Sequence, residues 1–145
     1  MGRREDLINK VIPLLESGDT LPVVSLEDFF EGNEDRYSIA TNLEESKHPG
    51  IPAMYTVLRS IRARIDVQDV LIEVQDTPYP DDAEEADDWP ISNTLFILTS
   101  APIEVVEEWV RPLRPDLVHE GWNVEDGIKT PSLKEGMRPV RVWWD

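Results

Sequence analysis

The chain has 145 residues, 40% of them apolar and 30% charged, with a formal net charge of -16 and no cysteine. A chain of this length is expected to form one domain, residues 1–145, with enough core to fold without staples. The absence of cysteine excludes disulfides, thiolate nucleophiles and zinc–thiolate sites, and the charge opposes nucleic acid and anionic membranes, which carry the same sign.

Arg3 and Arg4 are not followed by an apolar run, because Asn9, Lys10 and Pro13 interrupt Leu7–Leu15. No signal peptide is therefore predicted. No apolar run approaches the roughly 18 residues a membrane helix needs. The expectation is a cytoplasmic protein without a membrane partner.

Leu7, Ile8, Val11, Ile12, Leu14 and Leu15 recur at helical spacing, with Gly18 as a C-terminal stop and Pro13 as a predicted kink or break. Leu21-Pro22-Val23-Val24 must be extended, since the residue before proline avoids the α region. Ser25 then caps a short helix carrying Phe29 and Phe30, and Asp28 makes a weak capping box. These pieces, residues 1–35, read as a helical extension wrapped over one face of a core spanning 36–145.

Tyr37–Leu43 alternates with period two and predicts a strand. After the turn at His48-Pro49-Gly50, Met54, Leu58, Ile61 and Ile65 form one apolar helical stripe. Val70–Val74 and Thr94–Thr99 are apolar, β-branched-rich runs that predict two central strands. Ser100 is placed to cap a second long helix, with Ile103, Val106, Val110 and Leu113 inward. Leu117–His119 suggests a short strand, and Val140–Trp144 a closing one.

The order strand, helix, strand, strand, helix, strand predicts an α+β fold. It is the ferredoxin-like βαββαβ arrangement: a four-stranded antiparallel sheet with both long helices on one face.

Charge is unevenly placed. Residues 1–110 hold 24 acids and 8 bases, a balance of -16, while residues 111–145 hold six of each. The insert between the central strands, 76–89, is the densest part, with seven acids in the thirteen residues 76–88. Its plain reading is a solubilising loop. Its functional reading is electrostatic docking of a basic protein partner: Asp81, Asp82, Glu84, Glu85, Asp87 and Asp88 steer, and Tyr79 and Trp89 anchor. The insert lacks the Asp-x-Asp-x-Asp-Gly spacing of a calcium loop. Other acids, among them Glu27, Asp28, Glu31, Glu34 and Asp35, spread the negative field over the body.

Candidates for chemistry are sparse. His119 beside Glu120 offers a general base or two metal ligands, against the plainer reading of ordinary loop residues. With Trp122 and Arg141 they outline an alternative small-molecule or enzymatic site between the open sheet face and the loop 114–139. No nucleophile elbow and no phosphate-binding glycine loop is present. No metal or cofactor is expected. The leading expectation is a non-enzymatic, acidic protein–protein interaction module, of the inhibitor or immunity type, for a basic partner.

Overall fold

A computed structural model describes residues 2–79 and 88–145. Its elements are α1 (Arg3–Ser17), β1 (Val23–Ser25), α2 (Leu26–Phe30), α3 (Ile51–Arg62), β2 (Val67–Glu73), β3 (Thr94–Thr99), α4 (Ile103–Val110), β4 (Leu117–Glu120) and β5 (Arg138–Trp143). The architecture is α+β. Five strands form one sheet in the order β1-β2-β3-β5-β4, and every neighbouring pair is antiparallel.

The expected four-stranded ferredoxin-like sheet is corrected in its first half. Tyr37–Leu43 is not a strand. Asp35 Oδ1 accepts the Tyr37 amide at 3.0 Å and closes a 3-10 turn over Arg36–Ser38. Ser38, Ile39 and Ala40 are buried consecutively, and Ala40 sits in the left-handed region at φ 54. An L-residue in that conformation breaks an extended run. A single parallel bridge, Ile39 to Ser92, is all that remains of the pairing. The edge place goes to β1, which pairs with β2 through Val24 and Ile72. In the second half, β3 and β4 both run antiparallel to β5, which lies between them. α4 therefore completes a split βαβ crossover there.

One sheet face carries all four helices. Val70, Ile72, Leu95, Ile97, Val140 and Val142 point into a cluster with Leu7 and Val11 of α1, Phe29 and Phe30 of α2, Met54, Leu58 and Ile61 of α3, and Val106 and Val110 of α4. Each fully buried side chain of this kind contributes roughly 1.5–3 kcal/mol. Trp144 lies among them, its Nε1 donating to the Leu113 carbonyl at 2.9 Å. Ile65 does not join the stripe: α3 ends at Arg62, and Ile65 is fully exposed.

Local signals set the helix ends. Gly18 ends α1 at φ 68, and Ser25 Oγ accepts the Asp28 amide at 3.1 Å to start α2. α1 runs through Pro13 without breaking. The ring is exposed, so the backbone carbonyl that loses its donor is left on the water side. Ser100 does not cap α4, whose first turn follows an extended Pro102.

The opposite sheet face is not covered by α1, because the apolar stripe of α1 is spent on the helix layer. Only the segment after it contributes there, through Leu21. The rest of the cover is the connection between β4 and β5, which crosses as a strap. Trp122 seats on Phe96 with ring centroids 4.9 Å apart, and Leu21, Leu98 and Ile128 join that cluster. The strap is pinned twice. The Leu21 amide donates to the Lys129 carbonyl and the Lys129 amide to the Asp19 carbonyl, both at 2.9 Å. The Gln68 side chain donates to the Ser132 carbonyl at 3.0 Å and accepts the Lys134 amide at 2.8 Å.

Candidate functional site

The insert leaves the sheet from a closed base. Beyond β2 and before β3, the Gln75 amide donates to the Ile91 carbonyl and the Ile91 amide to the Asp76 carbonyl, both at 2.8 Å. Alongside, the Ala40 amide donates to the Ser92 carbonyl at 3.1 Å and the Ser92 amide to the Ser38 carbonyl at 2.7 Å. This second pairing brings residues 35–41 against the insert's foot. Asp35, Tyr37, Asp76, Thr77, Asp88 and Trp89 then line a cavity of about 310 Å³.

Three carboxylates share that lining, and the bonds that the Asp35 and Asp76 side chains accept come from backbone amides. Asp35 Oδ1 takes the Tyr37 amide and its Oδ2 takes the Trp89 amide at 3.2 Å. Asp76 Oδ1 accepts the Thr77 amide at 2.9 Å. None of Asp35, Asp76 and Asp88 has an ion-pair partner among the described residues. Part of the broad field expected from the N-terminal acids is answered within the molecule. Glu27 pairs with Arg62, Asp28 with Lys10 at 2.7 Å, and Glu31 with Arg3 at 2.8 Å. The Arg62 hydrogen bond holds the Glu27 carboxyl below the ordinary glutamate value. Among the described residues, Asp35, Asp76 and Asp88 thus form one unpaired acidic patch at the foot of the insert.

The expected partner-binding residues divide. Asp81, Asp82, Glu84, Glu85 and Asp87 lie outside the described residues. Asp88 is exposed on the cavity rim, and Arg4 Nε donates to its backbone carbonyl at 2.6 Å, tying that end of the insert to α1. Tyr79 is 59% exposed. Trp89 is only 4% exposed and belongs to the helix-side core, so it is a wall of the fold rather than a protruding anchor. Its Nε1 is buried without a hydrogen-bond partner among the described residues. Sequence reading counted Asp35 only among the scattered acids and missed Tyr37 and Ile91. No local period could have joined them to the insert, because the bridge from Ile39 to Ser92 is non-local.

The alternative set separates by strand alternation. His119 and Arg141 are register partners on the strap-side face, and Phe96, under Trp122, is Arg141's partner on its other flank. Glu120 projects to the opposite face and pairs with Arg138 at 3.0 Å. Glu73 is a carboxylate that does share their face, in the adjoining row with Thr94 and Trp143. Burial pushes the Glu73 carboxyl up, partly opposed by Arg141. Arg141 also lies 5.6 Å from the Trp143 ring centroid. A lone charged residue in the run Val70–Val74 was the available signal.

His48 is structural. Its Nε2 donates to the Ile39 carbonyl at 2.8 Å and its Nδ1 accepts the Gly50 amide at 2.9 Å, a pattern that requires the neutral ring. Among the described residues, no group of three or more acids and histidines is arranged to hold a metal ion. No helix there is long and apolar enough to cross a membrane.

Fold and cavity define an acidic α+β protein with a five-stranded antiparallel sheet and a carboxylate-lined hollow at the root of its longest insert. The family described as "Uncharacterized protein YfbO family" matches residues 3–142. Uncharacterized protein YfbO of Escherichia coli (strain K12) is 37% identical over 125 residues, covering 86% of this chain and 83% of that protein. The chain belongs to the YfbO family. No solved structure matches it.

Proposed function

We propose that the protein is an acidic binding module for a basic protein partner, of the inhibitor or immunity type. The cavity at the foot of the insert takes a lysine or arginine side chain. The observation that carries this reading is the convergence of Asp35, Asp76 and Asp88, none of them ion-paired among the described residues, on one aromatic-walled hollow. The charged head meets the carboxylates, and the methylene stem lies along Tyr37 and Ile91. The acids of the insert raise the encounter rate with a cationic surface, an effect that salt screens.

The test is a pull-down at low and moderate salt with the native chain and with an Asp76→Asn/Asp88→Asn double variant. Both side chains lie at the rim, and neither ties two segments together, so the fold survives. A basic partner should be retained by the native chain at low salt, released as salt rises and weakened by the double variant. Partners indifferent to salt and to the variant would contradict the reading.

A second reading, a small-molecule site on the strap-side face, is favoured by the half-buried Glu73 beside Arg141. Its residues are His119, Trp122, Arg141 and Glu73. Losing a small-molecule ligand on Arg141→Gln substitution, with the pull-down unchanged, would move the function there.

A further inference from the structure

β4 is the outer strand at one edge of the sheet. Its ladder with β5 has a fixed phase. The Gly121 amide donates to the Pro139 carbonyl at 2.9 Å, extending the register in which His119 lies opposite Arg141 and Leu117 opposite Trp143. Main-chain groups alternate along an antiparallel strand. Those of Leu117 and His119 therefore face β5, and those of Val118 and Glu120 face outward. The Glu120 carbonyl is taken by His119 Nδ1 at 2.9 Å. The amide and carbonyl of Val118 and the amide of Glu120 have no partner among the described residues. Such a row is a template for another strand.

The chemistry beside this edge differs from the rest of the molecule. A cavity of about 440 Å³ lies against it, lined by Val110, Arg111, Arg114, Leu117 and Val118, with Glu107 and Asp116 also on its wall. Arg111 is paired with Glu108 at 2.6 Å, whereas Arg114 has no ion pair among the described residues. Asp116 Oδ2 is occupied by the Asp145 amide at 2.7 Å. Arg114 holds φ 55 at the end of the 3-10 turn Arg111–Leu113, a conformation that disfavours any side chain yet carries an arginine here. The lining sets Arg111 and Arg114 against Glu107 and Asp116, and with Arg111 held by Glu108, Arg114 is the cation left there for an incoming carboxylate.

We propose that the β4 edge is a docking groove for an extended peptide, which adds a strand to the sheet and sets an acidic side chain against Arg114. Main-chain bonds to Val118 and Glu120 hold the peptide, and the cavity selects the side chain. This surface is separate from the acidic cavity at the insert and would stand if that one proved empty.

The experiment is an NMR titration of the whole, isotope-labelled protein with a short capped peptide of alternating valine and glutamate. The control alternates valine and lysine. The glutamate peptide should shift the Val118 and Glu120 amides, and the lysine peptide should leave them in place. Two further glutamate peptides, N-methylated on one or the other set of alternate residues, probe the ladder. One should bind about tenfold more weakly and the other as before, the loss expected for missing main-chain bonds. Arg114→Gly, which suits the left-handed backbone, should keep the fold and abolish the preference for glutamate over lysine. Silent β4 amides, equal binding of both peptides, or indifference to N-methylation would overturn the proposal. So would occupation of the edge by a second copy of the chain, seen as concentration-dependent shifts at Val118 without peptide.

Discussion

Arg62 Nη1 donates to Glu27 Oε1 at 2.7 Å, and Nη2 bonds the other carboxylate oxygen, clamping the start of α2 to the end of α3. The Glu27 side chain is 41% exposed, so solvent screens the pair and its worth is about 0.5–1 kcal/mol. The Glu27 carboxyl is held below its ordinary value of 4.5. The stabilisation is therefore present above that pH and is lost as pH falls through the depressed value. Glu27→Gln should lower stability at neutral pH and not at strongly acid pH, measured by urea unfolding at both.

Glu73 works in the opposite sense. Burial raises its carboxyl above 4.5, so the folded state favours the protonated form. The contribution is largest below the ordinary glutamate value and declines as pH rises through the raised one. Glu73→Gln keeps the shape and removes the charge. It should raise the melting temperature at neutral pH, with the gain disappearing in acid. A loss at neutral pH would mean that Arg141 outweighs burial.

Trp144→Phe removes the indole donor to Leu113 and leaves that carbonyl buried without its partner. The expected cost is about 1–3 kcal/mol, the penalty for an orphaned buried acceptor together with some lost packing. Thermal unfolding followed by circular dichroism measures it.

Gly18→Ala isolates a conformational effect. Gly18 ends α1 at φ 68, and a methyl group there would meet nothing within 4 Å. Any loss comes from the backbone alone, about 1 kcal/mol for an L-residue in the left-handed region. Urea midpoints with an unchanged slope check it.

Periodicity was a good guide wherever an element packs with one clean face. Met54, Leu58 and Ile61, or Val106 and Val110, mark their helices, and Val70–Glu73 and Thr94–Thr99 mark the sheet centre. It misleads at Tyr37–Leu43, where the sequence alternates but burial runs consecutively through Ser38, Ile39 and Ala40 while Tyr37 is exposed. Leu21–Val24 reads as extended, but the pairing of β1 with β2 is long-range and leaves no local mark. The candidate cavity was half legible. The acids of the insert announce themselves, while Asp35 and Tyr37 reach it only through contacts distant in the chain. Trp89 reads from the sequence either as an anchor or as folded back on the sheet, because composition cannot tell a core indole from a surface one.

The strap pinned at Lys129 and Gln68 also imposes an order on folding. Thr20 and Lys129 bridge, and Leu21 shares its cluster with Trp122 and Ile128. On the ribosome the N-terminal partners emerge long before the ones that cover them. Until the last third is synthesised, Phe96 and Leu98 remain wetted on that side, a state of high contact order and a natural moment for chaperone capture.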